Sequence, residues 1–203
     1  RKLDWATRRK IVVLLHQLLW QDAVNISSGL YPASVLKPES PMSHALRLPR
    51  VIWDGIFLYG RRSQGKTTVF RKEARQFLGD VPRYYRRNFH FQSDGYLSER
   101  SAELYDHQVE MLFAGTADPM RRMLIAPLRK RLRNSSKRSG GSNLRLLEFG
   151  AGTGSATRFV RLAFPKAKIV ANDLSEPYLK RAKKRLSAFS RVDFVQSDAA
   201  ALD

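Results

Sequence analysis

The apolar positions of the first 138 residues recur mostly at the spacing of a helix. Four leucines with this spacing predict the first helix: Leu14, Leu15, Leu18 and Leu19. A second helix is predicted over residues 101–113, where Leu104, Val109 and Leu112 can share one face. The glycine and prolines of residues 27–48 predict an irregular loop between these helices.

A third helix is predicted to begin at Asp118 and Pro119. An Asp side chain caps a helix N-terminus, and Pro suits the first turn because its missing N–H has no partner there. The apolar spacing continues to Leu128, and Pro127 should kink the helix. Residues 1–138 are therefore predicted to form a mainly helical basic region, and residues 139–143, in a Ser- and Gly-rich stretch, a linker.

The periodicity changes after the predicted linker. Short apolar runs at residues 144–149, 168–171 and 192–195 predict strands, whereas residues 155–163 and 177–186 have helical spacing. Alternating strands and helices are typical of a parallel sheet. The predicted fold class is α/β, with a helical N-terminal region followed by this parallel sheet.

A glycine cluster connects the first predicted strand to the helix that follows it. Gly150, Gly152 and Gly154 come directly after Glu148 and Phe149. Glycines at this place let the backbone turn sharply and approach a ligand, with a helix N-terminus behind them. In the dinucleotide-binding fingerprint the last glycine or alanine comes one position later than Gly154. Because the match is incomplete, a tight turn that binds no ligand is the alternative.

Two carboxylates follow the next two predicted strands. Asp173 ends the second strand, where it can accept hydrogen bonds from both hydroxyls of a ribose. Asp198 ends the third strand, where it can accept from an adenine amino group. With Glu148 they converge on one crevice, because the carboxyl ends of parallel strands meet at the same edge. Helix capping or strand-end solvation is the alternative for any one of them.

Residues 144–203 resemble the first half of a class I S-adenosylmethionine-dependent methyltransferase. The resemblance implies a partial Rossmann-like sheet with helices on both faces. It also implies that the glycine cluster holds the methionine part of the cofactor, Asp173 the ribose and Asp198 the adenine. The implied cofactor-binding residues are Glu148, Gly150, Ala151, Gly152, Gly154, Asp173, Leu174 and Asp198. Residues 84–128 resemble, more loosely, the region preceding this domain in a methyltransferase group from cyanobacteria and plants.

We therefore predict a methyltransferase that uses S-adenosylmethionine and releases S-adenosylhomocysteine, with an unidentified acceptor. Methyl transfer depends on positioning of donor and acceptor and requires neither a metal nor a covalent intermediate. A base is needed only if the acceptor loses a proton, and His90 and His107 are candidates by residue type alone. The alternative is an inactive methyltransferase-like subunit of a large assembly, either ribonucleoprotein or photosynthetic membrane. Because the domain is partial, we expect a longer chain or a larger assembly.

A second motif competes with this interpretation. Gly60, Gly65, Lys66 and Thr67 fit the G-x-x-x-x-G-K-[ST] pattern of a phosphate-binding loop. However, the preceding 50 residues are predicted to be helical or Pro-rich, and no strand ending in a magnesium-binding Asp follows. A basic surface loop is the favoured interpretation.

The charge of the chain predicts a polyanionic partner. Lys and Arg number 37 against 18 Asp and Glu, a net charge of +19, which suits RNA, an anionic membrane surface or an acidic protein. The densest basic runs lie at residues 129–138 and 180–185. Tyr84 and Tyr85 open a run of alternating aromatic and basic residues, which suits stacking on bases or capping a cofactor.

The remaining composition excludes several kinds of site. The chain has no cysteine, which excludes disulfides, thiolate metal sites and a cysteine nucleophile. The longest apolar run, residues 11–20, is interrupted and too short for a transmembrane segment. The first residue is Arg1; removal of a transit peptide would place the protein in a plastid or another organelle, and otherwise we expect the cytoplasm.

Overall fold

A computed structural model describes residues 4–37, 70–88, 94–139 and 144–201 of the chain. The motif at residues 60–67, which was interpreted as a basic surface loop, and His90 lie outside these ranges. Helix α1 covers Trp5–Ser27, and its N-terminus is capped by Asp4, whose side chain accepts a hydrogen bond from the Thr7 N–H. The leucine pattern therefore predicted this helix correctly.

The rest of the N-terminal region is helical in short pieces. Helix α2 covers Lys72–Arg75, and 3₁₀ turns lie at Ala33–Leu36 and Arg83–Tyr85. Helix α3 covers Glu99–Leu112 and confirms the second predicted helix. Its N-terminus is fixed by Ser98, whose hydroxyl accepts from the Ser101 N–H.

The predicted helix at Asp118 is divided in two. Helix α4, Ala117–Arg122, begins after Thr116, so Asp118 is not its cap and instead pairs with Arg121 at 2.7 Å. Helix α5, Ile125–Ser139, follows after a break at residues 123–124. Pro127 was predicted to kink one continuous helix, but it lies in the first turn of α5, where a residue without an N–H costs little. Helix α5 also continues to Ser139, into the stretch with linker composition.

The C-terminal part is a three-stranded parallel sheet in the order β1-β2-β3. Its strands are β1 at Arg145–Phe149, β2 at Lys168–Asp173 and β3 at Val192–Gln196. Helix α6, Ser155–Ala163, joins β1 to β2, and helix α7, Glu176–Arg185, joins β2 to β3. The predicted α/β fold with a helical N-terminal region is confirmed in this partial Rossmann-like form.

One hydrophobic core joins the helical region to the sheet. Phe159 of α6 packs in this core with Ile169 of β2, which is fully buried. Tyr31 and Ile125 belong to the same core although they come from the N-terminal region. The N-terminal helices are therefore a packed layer of the fold and can hold groups against the strand ends.

The other face of the sheet is apolar and partly exposed. Leu147 and Phe149 of β1 are 55% and 53% exposed, and Val195 of β3 is 42% exposed. The register and the alternation of side chains place these three on the face opposite Leu146 and Ile169. Among the described residues, no helix combines the length and the apolarity that crossing a membrane requires.

Candidate functional site

The glycine loop between β1 and α6 is tied to the end of β2. The Ala151 N–H donates to the Asn172 carbonyl at 2.9 Å, and the Gly154 N–H donates to the Ala151 carbonyl at 2.9 Å. Gly150 and Gly152 have φ values of 67° and 57°, a left-handed backbone that glycine adopts without strain. The loop thus folds tightly and presents its backbone at the carboxyl edge of the sheet.

Gly154 serves helix packing. Its φ is 77°, and a Cβ atom there would lie 3.0 Å from Ala182 Cβ and 3.1 Å from Leu186 Cδ1 of the α7 segment. The start of α6 can approach α7 this closely because glycine has no Cβ atom. Gly154 was predicted to bind the cofactor, and the structure places it at this helix contact, outside the pocket lining.

Gly154→Ala is expected to lower the free energy of unfolding by about 2–3 kcal/mol, from left-handed strain and overpacking together. Gly115→Ala is the matched control, because Gly115 has a φ of 79° but no atom near its Cβ position. The control should lose only the strain contribution of about 1 kcal/mol. Urea unfolding of both variants measures the difference, and equal losses would contradict the packing role.

Asp173 links the glycine loop to the start of α7. Its Oδ2 accepts from the Gly152 N–H at 2.7 Å and its Oδ1 from the Ser175 N–H at 2.8 Å. Ser175 in turn caps α7 by accepting from the Tyr178 N–H. The carboxylate is only 8% exposed and lines the pocket described below. One side chain therefore sets the geometry of the loop and presents negative charge at the edge of the sheet.

Asp198 lies just beyond β3 and contacts the N-terminal region. Its Oδ1 accepts from the Tyr84 hydroxyl at 2.7 Å and from the Ala200 N–H at 2.9 Å. These two hydrogen bonds, the backbone one first, lower the pKa of Asp198. The carboxylate is therefore ionised at neutral pH and can accept a further hydrogen bond.

Glu148 lies at the carboxyl end of β1, close to Thr157 of α6 and to Asp173. Burial raises its pKa, the Thr157 hydroxyl opposes this, and the negative charge of Asp173 raises the pKa further. Its Oε2 is buried and has no hydrogen-bond partner among the described residues. The structure thus places Glu148 beside the glycine loop but outside the lining of the pocket described below.

A pocket of about 430 Å³ opens where the strands end. Five predicted cofactor-binding residues line it, and Glu148, Ala151 and Gly154 do not. We call it the strand-end pocket, and its lining from the sheet and its loops consists of Gly150, Gly152, Asn172, Asp173, Leu174, Ser197, Asp198, Ala199 and Ala200. Asn172 and Ser197 escaped sequence analysis, because an amide and a hydroxyl near strand ends are common without a ligand.

Comparison with known proteins shows which family the C-terminal segment resembles. Residues 146–203 match the family model described as "Methyltransferase domain". This segment is similar to a methyltransferase domain. The predicted resemblance to class I S-adenosylmethionine-dependent methyltransferases is thereby confirmed, and the predicted cofactor agrees with it. The narrower likeness to a cyanobacterial and plant group stays a prediction.

A curated relative and two solved structures resemble the chain. Malonyl-[acyl-carrier protein] O-methyltransferase of Halalkalibacterium halodurans is 43% identical over 53 residues, 26% of this chain and 20% of the relative. The CurJ carbon methyltransferase is 18% identical, covers 53% of this chain and 31% of its own, and has a TM-score of 0.35. The trans-methyltransferase CalH, solved in complex with SAH, is 16% identical with coverages of 82% and 61% and a TM-score of 0.32. The chain thus spans about a fifth of the curated relative's length.

Five tyrosines line the rest of the strand-end pocket. We call this group the tyrosine wall: Tyr84, Tyr85, Tyr96, Tyr105 and Tyr178. The rings pack at centroid distances of 5.3–6.2 Å. Sequence analysis singled out Tyr84 and Tyr85 as candidates for capping a cofactor. It missed the other three, because tyrosines so far apart in the chain show no common pattern until the chain folds.

A buried ion pair fastens the N-terminal region to the glycine loop. The Asp106 carboxylate of α3 accepts from Arg185 Nη2 at 2.7 Å, from Ser155 Oγ at 2.7 Å and from Thr153 Oγ1 at 3.0 Å. Arg185 also donates to the Thr153 carbonyl at 2.8 Å. Burial opposes ionisation of Asp106, but the Arg185 guanidinium and the Ser155 hydroxyl hold its pKa below the usual value. We call these four residues the Asp106 clamp.

The Asp106 clamp changes the interpretation of one basic run. Arg185 belongs to the run at residues 180–185 that was assigned to a basic surface, yet its side chain is only 8% exposed. Lys180 pairs with Glu99 of α3, whereas Lys183 and Lys184 are exposed.

His107 is the candidate base that lies within the described residues. It follows Asp106 on α3 and is 7% exposed. It is a packed residue of that helix and is not part of the pocket lining.

Proposed function

We propose that this chain binds S-adenosylmethionine in the strand-end pocket and that its protein transfers the methyl group to an acceptor. The observation that carries the proposal is Asp173, which joins the glycine loop to α7 and lines the pocket within a segment of the methyltransferase domain family. Asp198 lies at the same edge, one strand further along. Two carboxylates so placed suit a nucleoside with hydroxyl and amino donors.

The pocket lining fits this cofactor in its other groups as well. Gly150 and Gly152 leave room for a ligand against the backbone, and the tyrosine wall offers ring surface to an adenine. The Asn172 amide oxygen is buried without a partner among the described residues, so it can accept from a bound donor. When bound, the cofactor supplies a methyl group on a positively charged sulfur.

The contribution of this chain to the reaction is binding and orientation. Asp173 holds the glycine loop through the Gly152 N–H, and the Asp106 clamp holds the same loop through Thr153 and Ser155. A donor fixed by such a loop has lost most of its freedom before the acceptor arrives, which lowers the barrier of a displacement reaction. No side chain of the pocket needs to form a covalent bond for this step.

Calorimetric titration of the chain with S-adenosylmethionine tests the proposal. We expect saturable one-to-one binding that Asp198→Ala weakens about tenfold through loss of a charged hydrogen bond. Asp193→Ala is the matched control, since Asp193 lies on β3, just before Asp198, but pairs with Lys168 at the surface. Absence of binding by the folded chain, or equal weakening by both substitutions, would refute the proposal.

The partner and the acceptor belong to this proposal as well. A polyanionic partner is supported by the net charge of +19 and by exposed basic residues on α5 and α7. These residues are Lys130, Arg131, Lys183 and Lys184. The inactive-subunit alternative has no support in the comparisons. Plastid, organelle and cytoplasm remain predictions for the compartment.

A further inference from the structure

Each strand of the sheet begins at, or directly after, a basic residue. Arg145 opens β1, Lys168 opens β2, and Arg191 directly precedes β3. Arg145 is the partner of Lys168 in the strand register, and Arg191 stands opposite Lys168 because Val192 pairs with Ile169. Neighbouring strands are about 4.8 Å apart, so the three cations lie side by side. We call this end of the sheet the amino edge.

Further basic side chains meet at the turn that precedes β2. Arg129, Arg161 and Arg191 donate to the four consecutive carbonyl groups of residues 163–166, at 2.6–3.2 Å. Burial lowers the pKa of Arg161, and the positive charge of Arg191 lowers it further. Carbonyl groups at the end of a helix stabilise nearby cations, which holds the guanidinium groups together despite this repulsion. Arg129 thereby brings the basic run of α5 to the amino edge.

Little negative charge balances these cations. Lys168 pairs with Asp193 at 3.0 Å, and both side chains are about half exposed. Arg145 and Lys166 are exposed and form no ion pair with any described residue. The sequence has neither Asp nor Glu in residues 149–172, which include α6 and most of β2. The described part of the amino edge therefore presents a net positive charge to the solvent.

The remaining surface of the amino edge favours one kind of anionic partner. The turns that lead into β2 and β3, residues 164–167 and 187–191, expose no large apolar side chain. A helix or loop that lies on a lipid surface inserts apolar side chains, and single-stranded nucleic acid stacks on exposed aromatic rings. The phosphates of a duplex, in contrast, are bound largely by Lys and Arg. The exposed residues of this edge match the last case.

We propose that the amino edge binds the phosphate backbone of a nucleic-acid duplex through Arg145, Lys166 and Arg191. This inference rests on the polyanionic partner of the proposed function and specifies it. Strands of 5 and 6 residues separate the amino edge from the strand-end pocket, a distance of about 16–20 Å. A duplex held at one end of the sheet therefore does not block the pocket at the other end.

Fluorescence anisotropy with labelled RNA and DNA duplexes, at several salt concentrations, tests this inference. The test variant combines Arg145→Gln, Lys166→Gln and Arg191→Gln. Each contact between a cation and a phosphate contributes about 0.9 to the slope of log binding constant against log salt concentration. In the test variant this slope is expected to become less steep by about 2–3.

The control variant removes the same charge from another surface. It combines Arg8→Gln, Arg9→Gln and Lys10→Gln at exposed positions of α1, and it should keep the slope of the unmodified chain. Circular dichroism shows whether both variants fold. If the test variant does not fold, Arg145→Gln together with Lys166→Gln repeats the test without removing the hydrogen bond that Arg191 donates.

The outcomes separate this inference from the proposed function. Equal changes of slope in the test and control variants would overturn the inference, because binding would then follow net charge alone. Binding of neither duplex by the folded chain would overturn it too, and binding to phosphatidylserine vesicles in that case would assign the charge to a membrane. Calorimetry with S-adenosylmethionine should give the same affinity for the test variant and the unmodified chain. A chain that binds a duplex but not S-adenosylmethionine would refute the cofactor site and not the amino edge.

Discussion

Asp106→Ala is expected to lower the free energy of unfolding by about 3–5 kcal/mol, the range for breaking a buried ion pair by removing one partner. The substitution leaves the Arg185 guanidinium, 8% exposed, without its carboxylate, and it removes the acceptor of the Thr153 and Ser155 hydroxyls. Arg121, whose Nη2 lies 3.5 Å from Asp106 Oδ1, also loses part of the negative charge that balances its guanidinium. The loss combines an uncompensated charge with unsatisfied hydroxyls in the layer between α3 and the glycine loop.

Glu99→Ala is the control for this prediction because it lies on the same helix. Glu99 pairs with Lys180, but both side chains are about 70% exposed, and exposed pairs contribute about 1 kcal/mol or less. Urea unfolding followed by circular dichroism measures both variants. If Asp106→Ala costs no more than Glu99→Ala, the Asp106 clamp does not stabilise the contact between the N-terminal region and the glycine loop.

Asp173→Ala is expected to weaken S-adenosylmethionine binding about 10- to 150-fold. The removed carboxylate offers hydrogen bonds worth about 1.5–3 kcal/mol to ribose hydroxyls, as charged acceptors do. It also releases the Gly152 and Ser175 N–H groups that shape the loop and the start of α7. The two effects act on one equilibrium, because a loose loop must be ordered again when the cofactor binds.

Asp173→Asn separates these two effects. An Asn side chain keeps one oxygen for the Gly152 N–H or the Ser175 N–H but carries no charge, so it should lose less affinity than Asp173→Ala. Calorimetry gives the affinities, and thermal unfolding shows which variants are folded at the temperature of the titration. Unchanged affinity in folded Asp173→Ala would remove Asp173 from the cofactor site.

The periodicity of the sequence predicted most elements of the C-terminal part. The strands were placed at residues 144–149, 168–171 and 192–195, and the structure has them at Arg145–Phe149, Lys168–Asp173 and Val192–Gln196. The apolar run of β2 ends before the polar residues Asn172 and Asp173. The hydrophobic pattern therefore predicted the end of this strand too early. The pairing of β2 with β3 continues through these two polar residues, because the hydrogen bonds of a sheet join backbone groups and do not depend on the side chains.

Two features were predicted less well. Asp118 and Pro119 have the composition of a helix start, yet the backbone turns at residues 113–116 begin the helix earlier. Arg185 has the sequence context of a solvated basic run, yet it pairs in the interior with Asp106, 79 residues earlier. The first error is local, and the second could not be seen in the sequence because the partner is distant in the chain.

The amino-acid pattern alone predicted the parallel α/β sheet, the glycine loop and the carboxylates Asp173 and Asp198 at the strand ends. These features follow from local periodicity and from the rule that parallel strands end at one edge. The folded chain was needed to show that Asp173 accepts from the Gly152 and Ser175 N–H groups and that Gly154 packs against α7. Tertiary packing also assembled the tyrosine wall and the Asp106 clamp. Both combine side chains that lie tens of residues apart, and such contacts exist only once the shared core has brought the helices against the sheet.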